Sequence, residues 1–304
     1  MPQTTAPSKR STRSRRVRFI EDADWYEHPR WYDILHAQGT TGEVHGLEAI
    51  ARKWCAWDSR RALTLFEPAC GTARHLRIAA ARGHRVIGLD QARPMLAYAQ
   101  RAFVRRELSG TLVQADMRSF DAKTLGLGRA ESIDLAFCPV NSIRHLSTDA
   151  DVIAHIRATL ALLSPRGVYA IGIGLTAYGV EQPSEDVWTG ARGRCRVTQV
   201  VQYLPGAPGS PSERTERVIS HLTIMTPSRE THMDHTYDLR RYDASQWRSI
   251  LKRAGAQTIA LVDETGGTLD GSVDLFEAGY AIFLLRACDS ASAPQRRTPG
   301  HRSK

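Results

Sequence analysis

Apolar positions recur along this chain with two different periods. Between Arg61 and Ile173, short apolar runs alternate with segments whose apolar residues fall on one helical face. The expected strands are Leu63–Phe66, Arg85–Leu89, Thr111–Ala115, Ile133–Phe137 and Val168–Ile173. The helices between them are Ala73–Arg82, Pro94–Glu107 and Ala150–Leu163, with Pro94 suited to a first helical turn. Such alternation predicts βαβ units, a parallel sheet covered by helices on both faces. Upstream, Trp25–Ala37 and Thr41–Trp57 read as two helices punctuated by Gly39. Downstream the period drops to two. Val197–Leu204, Arg217–Met225 and Glu230–Tyr242 lie within an insertion at about 186–242 and read as antiparallel, half-exposed strands. A helix at Ala244–Ala254 stops at Gly255, and strands at Gln257–Val262 and Tyr280–Arg286 close the chain. No repeat of solenoid period is present.

Composition changes this picture little, but the placement of charge refines it. The 304 residues are 42% hydrophobic and 24% charged, ordinary for a soluble globular protein and unlike a collagenous, coiled-coil or wholly disordered chain. Residues 1–18 carry six cations and no acid, and residues 289–304 carry four cations against Asp289. Removing these from the 41 basic and 32 acidic residues leaves 31 of each in the body, residues 19–288. The basicity thus belongs to two Ser/Pro/Thr-rich tails, expected to be disordered, solvated ends. Their functional alternative is weak, nonspecific contact with nucleic acid. Five cysteines without C-x-x-C spacing argue for reduced thiols in the cytoplasm and against a zinc site. The longest apolar stretch, Val168–Val180, is too short and glycine-broken for a membrane helix. The basic start runs into acidic residues in place of an apolar core, so no secretory signal is expected, although its Arg/Ser content also suits an organelle transit peptide.

The chemistry concentrates at strand tips. Glu67-Pro68-Ala69-Cys70-Gly71-Thr72-Ala73 ends the first strand of the series and opens a helix, a small-residue turn whose backbone a ligand can approach. The second strand ends at Asp90, placed to accept hydrogen bonds from ribose hydroxyls. The third ends at Asp116-Met117, a carboxylate beside a soft side chain able to flank an adenine. A dinucleotide site would require G-x-G-x-x-G, and Gly71 is the only glycine of the turn.

The ordered segments E-P-A-C-G-T-A-R-H, G-H-R-V-I-G-L-D-Q-A-R-P-M-L-A-Y-A, Q-A-D-M-R-S-F and I-D-L-A-F-C-P-V-N-S-I-R-H-L resemble those of class I S-adenosylmethionine-dependent methyltransferases. The resemblance spans about residues 30–173 and implies a Rossmann-like seven-stranded α/β sheet with S-adenosyl-L-methionine as cofactor. It also implies roles for individual residues. Glu67, Ala69, Gly71 and Thr72 would line the methionine moiety, Asp90 and Gln91 would hold the ribose, and Asp116 with Met117 would bracket the adenine. Cys138 would offer its carbonyl to the ammonium group. Ala73 stands where the pattern usually has glycine, which tightens the turn.

The acceptor is narrowed by the fourth strand tip. It lacks the N/D-P-P-Y/F signature of amino-methylating nucleic-acid enzymes and the Pro-Cys nucleophile of cytosine-C5 enzymes. It is similar instead to small-molecule N-methyltransferases, nearest to nucleotide-sugar N,N-dimethyltransferases, with glycine and sarcosine methyltransferases as cousins. Those sugar enzymes also carry an N-terminal helix with a Tyr-Asp pair, matched by Tyr32-Asp33, and an antiparallel insertion after the fifth strand. His145 and Tyr32 are the expected catalytic residues, the neutral imidazole positioning the acceptor or taking a proton. Tyr26, Asn141, Arg144 and Arg241 are expected to face the substrate, Arg144 replacing a small residue of the pattern. His232 and His235, three apart on a strand, would point to opposite faces, so no metal is expected. The exposed inserted sheet would suit a homodimer. The alternatives are a nucleic-acid acceptor reached through the tails, or a cofactor-binding scaffold without catalysis.

Overall fold

The computed structural model describes residues 16–21, 23–269 and 279–288. Twelve strands form two sheets. The larger comprises β2 (Thr64–Pro68), β3 (Arg85–Asp90), β4 (Thr111–Gln114), β5 (Ile133–Cys138), β6 (Leu163–Gly174), β11 (Ala256–Val262) and β12 (Tyr280–Ala287). Its order is β11-β12-β6-β5-β2-β3-β4, with β12 antiparallel to both neighbours and the other pairs parallel. This is the seven-stranded sheet expected. Its central strands β2, β3 and β5 are mostly apolar because both faces are buried, whereas the edge strands β4 and β11 are only partly covered. One face packs on α2 (Thr40–Trp54), α3 (Arg74–Ala81) and α4 (Arg93–Arg105), the other on α5 (Asp149–Leu160) and α6 (Ala244–Ala254). The boundaries of α6 follow from chemistry readable in the sequence. Asp243 accepts from the Gln246 N–H at 2.7 Å while its own N–H donates back to Gln246, and Gly255 takes the left-handed turn that ends the helix.

The second sheet is the insertion. It runs β1-β10-β9-β8-β7, where β1 is Arg16–Ile20, β7 Ser184–Arg192, β8 Cys195–Pro205, β9 Thr215–Met225 and β10 Arg229–Arg240. Two of these strands depart from the sequence expectation. β1 begins inside the segment taken as a disordered tail and pairs in parallel with β10, Arg16 opposite Arg229 and Ile20 opposite Met233. It is bounded by charge and nearly all exposed, so composition hides it. β7 is an edge strand of mostly polar, exposed residues and shows no apolar alternation. The expectations for residues 1–15 and 289–304 lie outside the described residues.

The segment expected as one helix at Trp25–Ala37 is a 3₁₀ turn, Trp25–Glu27, followed by α1 (Pro29–Leu35). The break falls at His28, whose position before Pro29 disfavours the helical region and whose φ/ψ are −116° and 56°. This cap packs Trp25, Ile34 and Leu35 against Val197, Leu222, Ile224 and Met233 of the inserted sheet. Gly190 permits the approach, since a Cβ there would lie 2.3 Å from the Ile34 carbonyl oxygen.

Candidate active site

The turn after β2 is wound unusually tightly. Ala69, Gly71 and Ala73 all adopt positive φ, at 56°, 54° and 54°. The alanine at 73 therefore holds a conformation that costs an L side chain about 1 kcal/mol, the physical content of its departure from glycine. The turn brings the Gly71 N–H to 2.7 Å from Asp90 Oδ2, and the Ala92 N–H donates to Oδ1 at 2.8 Å. Burial raises the Asp90 pKa, opposed by the Ala92 and Gly71 N–H bonds that favour the carboxylate. Two backbone donors leave two acceptor positions on this carboxylate, matching a vicinal diol.

Two cavities meet above this turn. One, about 580 Å³, is lined by Gly71, Asp90, Gln91, Asp116, Met117 and Arg118, among others. The other, about 640 Å³, opens between the main and inserted sheets and is walled by residues such as Glu67, Thr72, Asn141, Arg144, Glu216 and Tyr237. Tyr26, Tyr32, Ala69, Ser142 and His145 line both. The aromatic cap is thus the roof over the junction, with Trp25 and Tyr32 ring centroids 4.7 Å apart.

His145 is open to both cavities, which leave its side chain solvent-accessible. Its ring stacks on Tyr237 at 5.4 Å, and its Nε2 lies 3.3 Å from the Tyr26 hydroxyl. Burial, then the Arg144 and His235 charges, push its pKa down to about 4. Burial likewise pushes Tyr32 up to about 12 and Tyr26 well upward. The junction therefore holds a neutral imidazole between protonated phenols.

Below it, Glu67 Oε1 faces His75 Nδ1 at 2.7 Å, while Glu43 Oε2 faces His75 Nε2 at 2.5 Å. Burial opposes charge on this ring, but the carboxylates prevail and raise its pKa. The second Glu67 oxygen is buried and has no partner among the described residues. A buried carboxylate oxygen awaiting a donor fits an ammonium group. Together with the diol-matching Asp90, it makes this site suited to S-adenosylmethionine.

Other expected site residues sit differently. Cys138 is fully buried and lines neither cavity. The unpartnered Glu67 oxygen is an acceptor on the chamber wall. Arg241 is 2% exposed and outside the chamber wall, its guanidinium consumed by Thr176, the Gly206 and Glu213 carbonyls and Glu181. Arg144 does line the chamber, but it donates to the Arg240 carbonyl and to Glu216 Oε2, each at 2.8 Å. Asn141, at φ 62°, accepts from the Gly174 N–H at 2.8 Å and ties the tips of β5 and β6. Asp116 is held by Arg118 on the cavity lip. His232 turns toward His221 and Phe19, and His235 toward Tyr26 and Tyr237, on opposite faces of the sheet.

Sequence reasoning missed Asp33 as a hub. Fully buried, it binds Arg77, accepts from Thr72 Oγ1 at 3.0 Å and the Tyr98 hydroxyl at 2.9 Å, and pairs with Arg192 at 2.8 Å. It also missed the chamber wall of Gln199, Val201, Tyr203, Tyr237 and Leu239. The signal was present as period-two spacing on β8 and β10, which puts each set on one face.

Comparison with known proteins agrees with this geometry. Residues 66–167 match a methyltransferase domain family. S-adenosylmethionine is the methyl donor of this domain class, as the resemblance of the four motifs implies. Over 144 residues, 46% of this chain, the sequence is 34% identical to a dTDP-3-amino-3,6-dideoxy-alpha-D-glucopyranose N,N-dimethyltransferase of Streptomyces fradiae. The match spans about half the length of that relative, 50%. The fold of the methyltransferase domain with its inserted sheet is shared with solved structures. DesVI of Streptomyces venezuelae has a TM-score of 0.64 at 19% identity, covering 88% of this chain and all of that one. A sugar N-methyltransferase of a Streptoalloteichus species has a TM-score of 0.59 at 18% identity, covering 94% of this chain and 98% of that one.

Proposed function

We propose that the protein transfers a methyl group from S-adenosylmethionine to an amino nitrogen of a small molecule. The observation that carries this reading is the meeting of two cavities at Tyr26, Tyr32, Ala69, Ser142 and His145. One cavity presents acceptors for a ribose and the other is a separate chamber of substrate size. A bound S-adenosylmethionine supplies a methyl group activated on a sulfonium centre. Asp90 and Gln91 would hold its ribose, Met117 and Asp116 its adenine, and Glu67 its ammonium end.

Methyl transfer is an in-line displacement that needs contact and alignment more than proton chemistry. Tyr26, Tyr32 and Trp25 exclude water from the junction, which strengthens electrostatic interactions inside it. His145 Nε2, neutral and reachable from the chamber, accepts an N–H of the acceptor amine and aims its lone pair across the junction. The chamber wall also holds Asp186, a carboxylate without a cationic partner among the described residues, which favours an amine over an acidic acceptor.

Calorimetric titration with S-adenosylmethionine and with its demethylated product tests the reading. Saturable binding is expected for the wild type, weakened at least tenfold by Asp90→Ala. Wild type that binds neither compound at millimolar concentration overturns it.

A further inference from the structure

Among the described residues, the chamber wall contains no cation that is free to receive a phosphate. Arg74, whose side chain is 13% exposed, pairs with Glu43 at 2.7 Å, and Arg144, 10% exposed, pairs with Glu216 at 2.8 Å. His75 is enclosed between Glu43 and Glu67. Arg241, behind the wall, is spent on Glu181. His36 and His145 stay neutral, burial pushing their pKa values down to about 3 and about 4. Against these, Asp186 is an exposed carboxylate of the chamber wall that makes no hydrogen bond or ion pair among the described residues. Among the described residues, the wall and its ion-pair partners hold five carboxylates and four cationic side chains, and Asp186 is the surplus. Asp186 and Glu216 both act on the Tyr203 hydroxyl and raise its pKa after burial, so carboxylates and phenol share one corner.

A nucleoside diphosphate brings about two negative charges and needs Arg or Lys donors not already saturated. Breaking a buried pair to supply one leaves its carboxylate uncompensated, at severe cost. Hydroxyl and ammonium groups, by contrast, find acceptors at Asp186, Glu216 and Tyr203.

Resting on the N-methyltransferase reading above, we infer that the acceptor is an amine without a phosphate or diphosphate, a polyhydroxylated and preferably cationic amine such as an amino sugar glycoside. The acidic corner at Asp186 selects it, and the same corner repels a nucleotide-linked sugar. This separates the protein from its curated relative, whose name specifies a dTDP-linked sugar.

The test uses the full chain saturated with S-adenosylhomocysteine and titrated with two probes, dTDP and a methyl glycoside of an amino sugar carrying a second amine. The glycoside is expected to bind at least tenfold more tightly than dTDP, and Asp186→Lys is expected to narrow that ratio at least tenfold. In turnover with S-adenosylmethionine, the glycoside is expected to exceed the corresponding dTDP-amino sugar in kcat/KM. If dTDP binds as tightly as the glycoside, or the dTDP-amino sugar is the better substrate, the inference falls while the methyltransferase reading stands. Failure of S-adenosylhomocysteine to bind overturns both. An unchanged ratio in Asp186→Lys overturns the assignment of selectivity to that corner.

Discussion

His145 stands between two cavities in its neutral form, and that fixes how the protein should respond to pH. With its pKa pushed down to about 4 by burial, it carries no proton anywhere near neutrality. The pH dependence of kcat/KM should therefore rise toward the acceptor amine's own pKa with no inflection near pH 6.5, and a histidine limb there that vanishes in His145→Gln would contradict this assignment. The His145→Gln substitution is expected to lower kcat about 10- to 100-fold with little change in S-adenosylmethionine affinity, as measured by steady-state kinetics and calorimetry. Histidine also governs acid stability. His155 Nδ1 donates to the Met117 carbonyl at 2.7 Å, and its Nε2 accepts from the Tyr169 hydroxyl at 2.6 Å, an arrangement that needs the neutral ring. Its pKa is about 4, lowered by burial. Both rings are neutral in the folded and unfolded chain above about pH 6.5, so the folded state bears no penalty there. As pH falls from about 6.5 toward 4, the unfolded chain binds protons that the folded chain refuses, and stability declines. Urea midpoints measured across pH 5–7 should fall with pH, less steeply in a His155→Gln variant.

At the scale of elements, the decisive joint is α1. Asp33 links it to α3 through Arg77, to α4 through Tyr98 and to β7 through Arg192. Burial would raise the Asp33 pKa, but Arg77 and the other donors prevail and lower it. Replacing it by alanine strands a buried Arg77 and is expected to cost about 3–5 kcal/mol, checked by denaturant unfolding. Gly190→Ala, forcing a Cβ into the α1 backbone, should cost about 1–3 kcal/mol and loosen the cap. Such joints explain what was legible in the sequence and what was not. The Glu67–Gly71 turn and Asp90 could be read because each lies at a strand tip within one βαβ unit, where spacing dictates geometry. The Asp33 network could not, since its partners are scattered from Thr72 to Arg192 and only the fold unites them. β1 was hidden for the related reason that an exposed edge strand needs no apolar alternation. Arg241 misled because it follows a half-exposed strand, yet a fold that supplies four acceptors can bury a guanidinium completely.

At the scale of the whole molecule, the described residues form two sheets, with the two cavities meeting between them and an aromatic cap over the meeting point. The cap contributes Asp24, Tyr26, Glu27 and Tyr32 to the smaller cavity, so ligand and cap should order together. S-adenosylmethionine at about 100 times its Kd is expected to add about 2.7 kcal/mol to the unfolding free energy. Hydrogen exchange of residues 24–36 should slow in parallel, and unchanged exchange there would mean that the cap does not serve as the roof.

The parallel pairing of β1 with β10 has a consequence for how the chain is made. The first described strand can find its partner only after residues 229–233 have been synthesised. During translation the turn at Gly71 and its supporting strands can settle early, because their contacts are close in sequence, whereas the roof and outer chamber wait for the final third of the chain. Contacts of such long sequence separation are slow to form. On the proposed reading, the nascent chain should thus acquire the Gly71–Asp90 half of the site before the enclosure around the chamber, so that arrested translation intermediates ending before β10 would expose an uncapped aromatic surface to the chaperones that meet them.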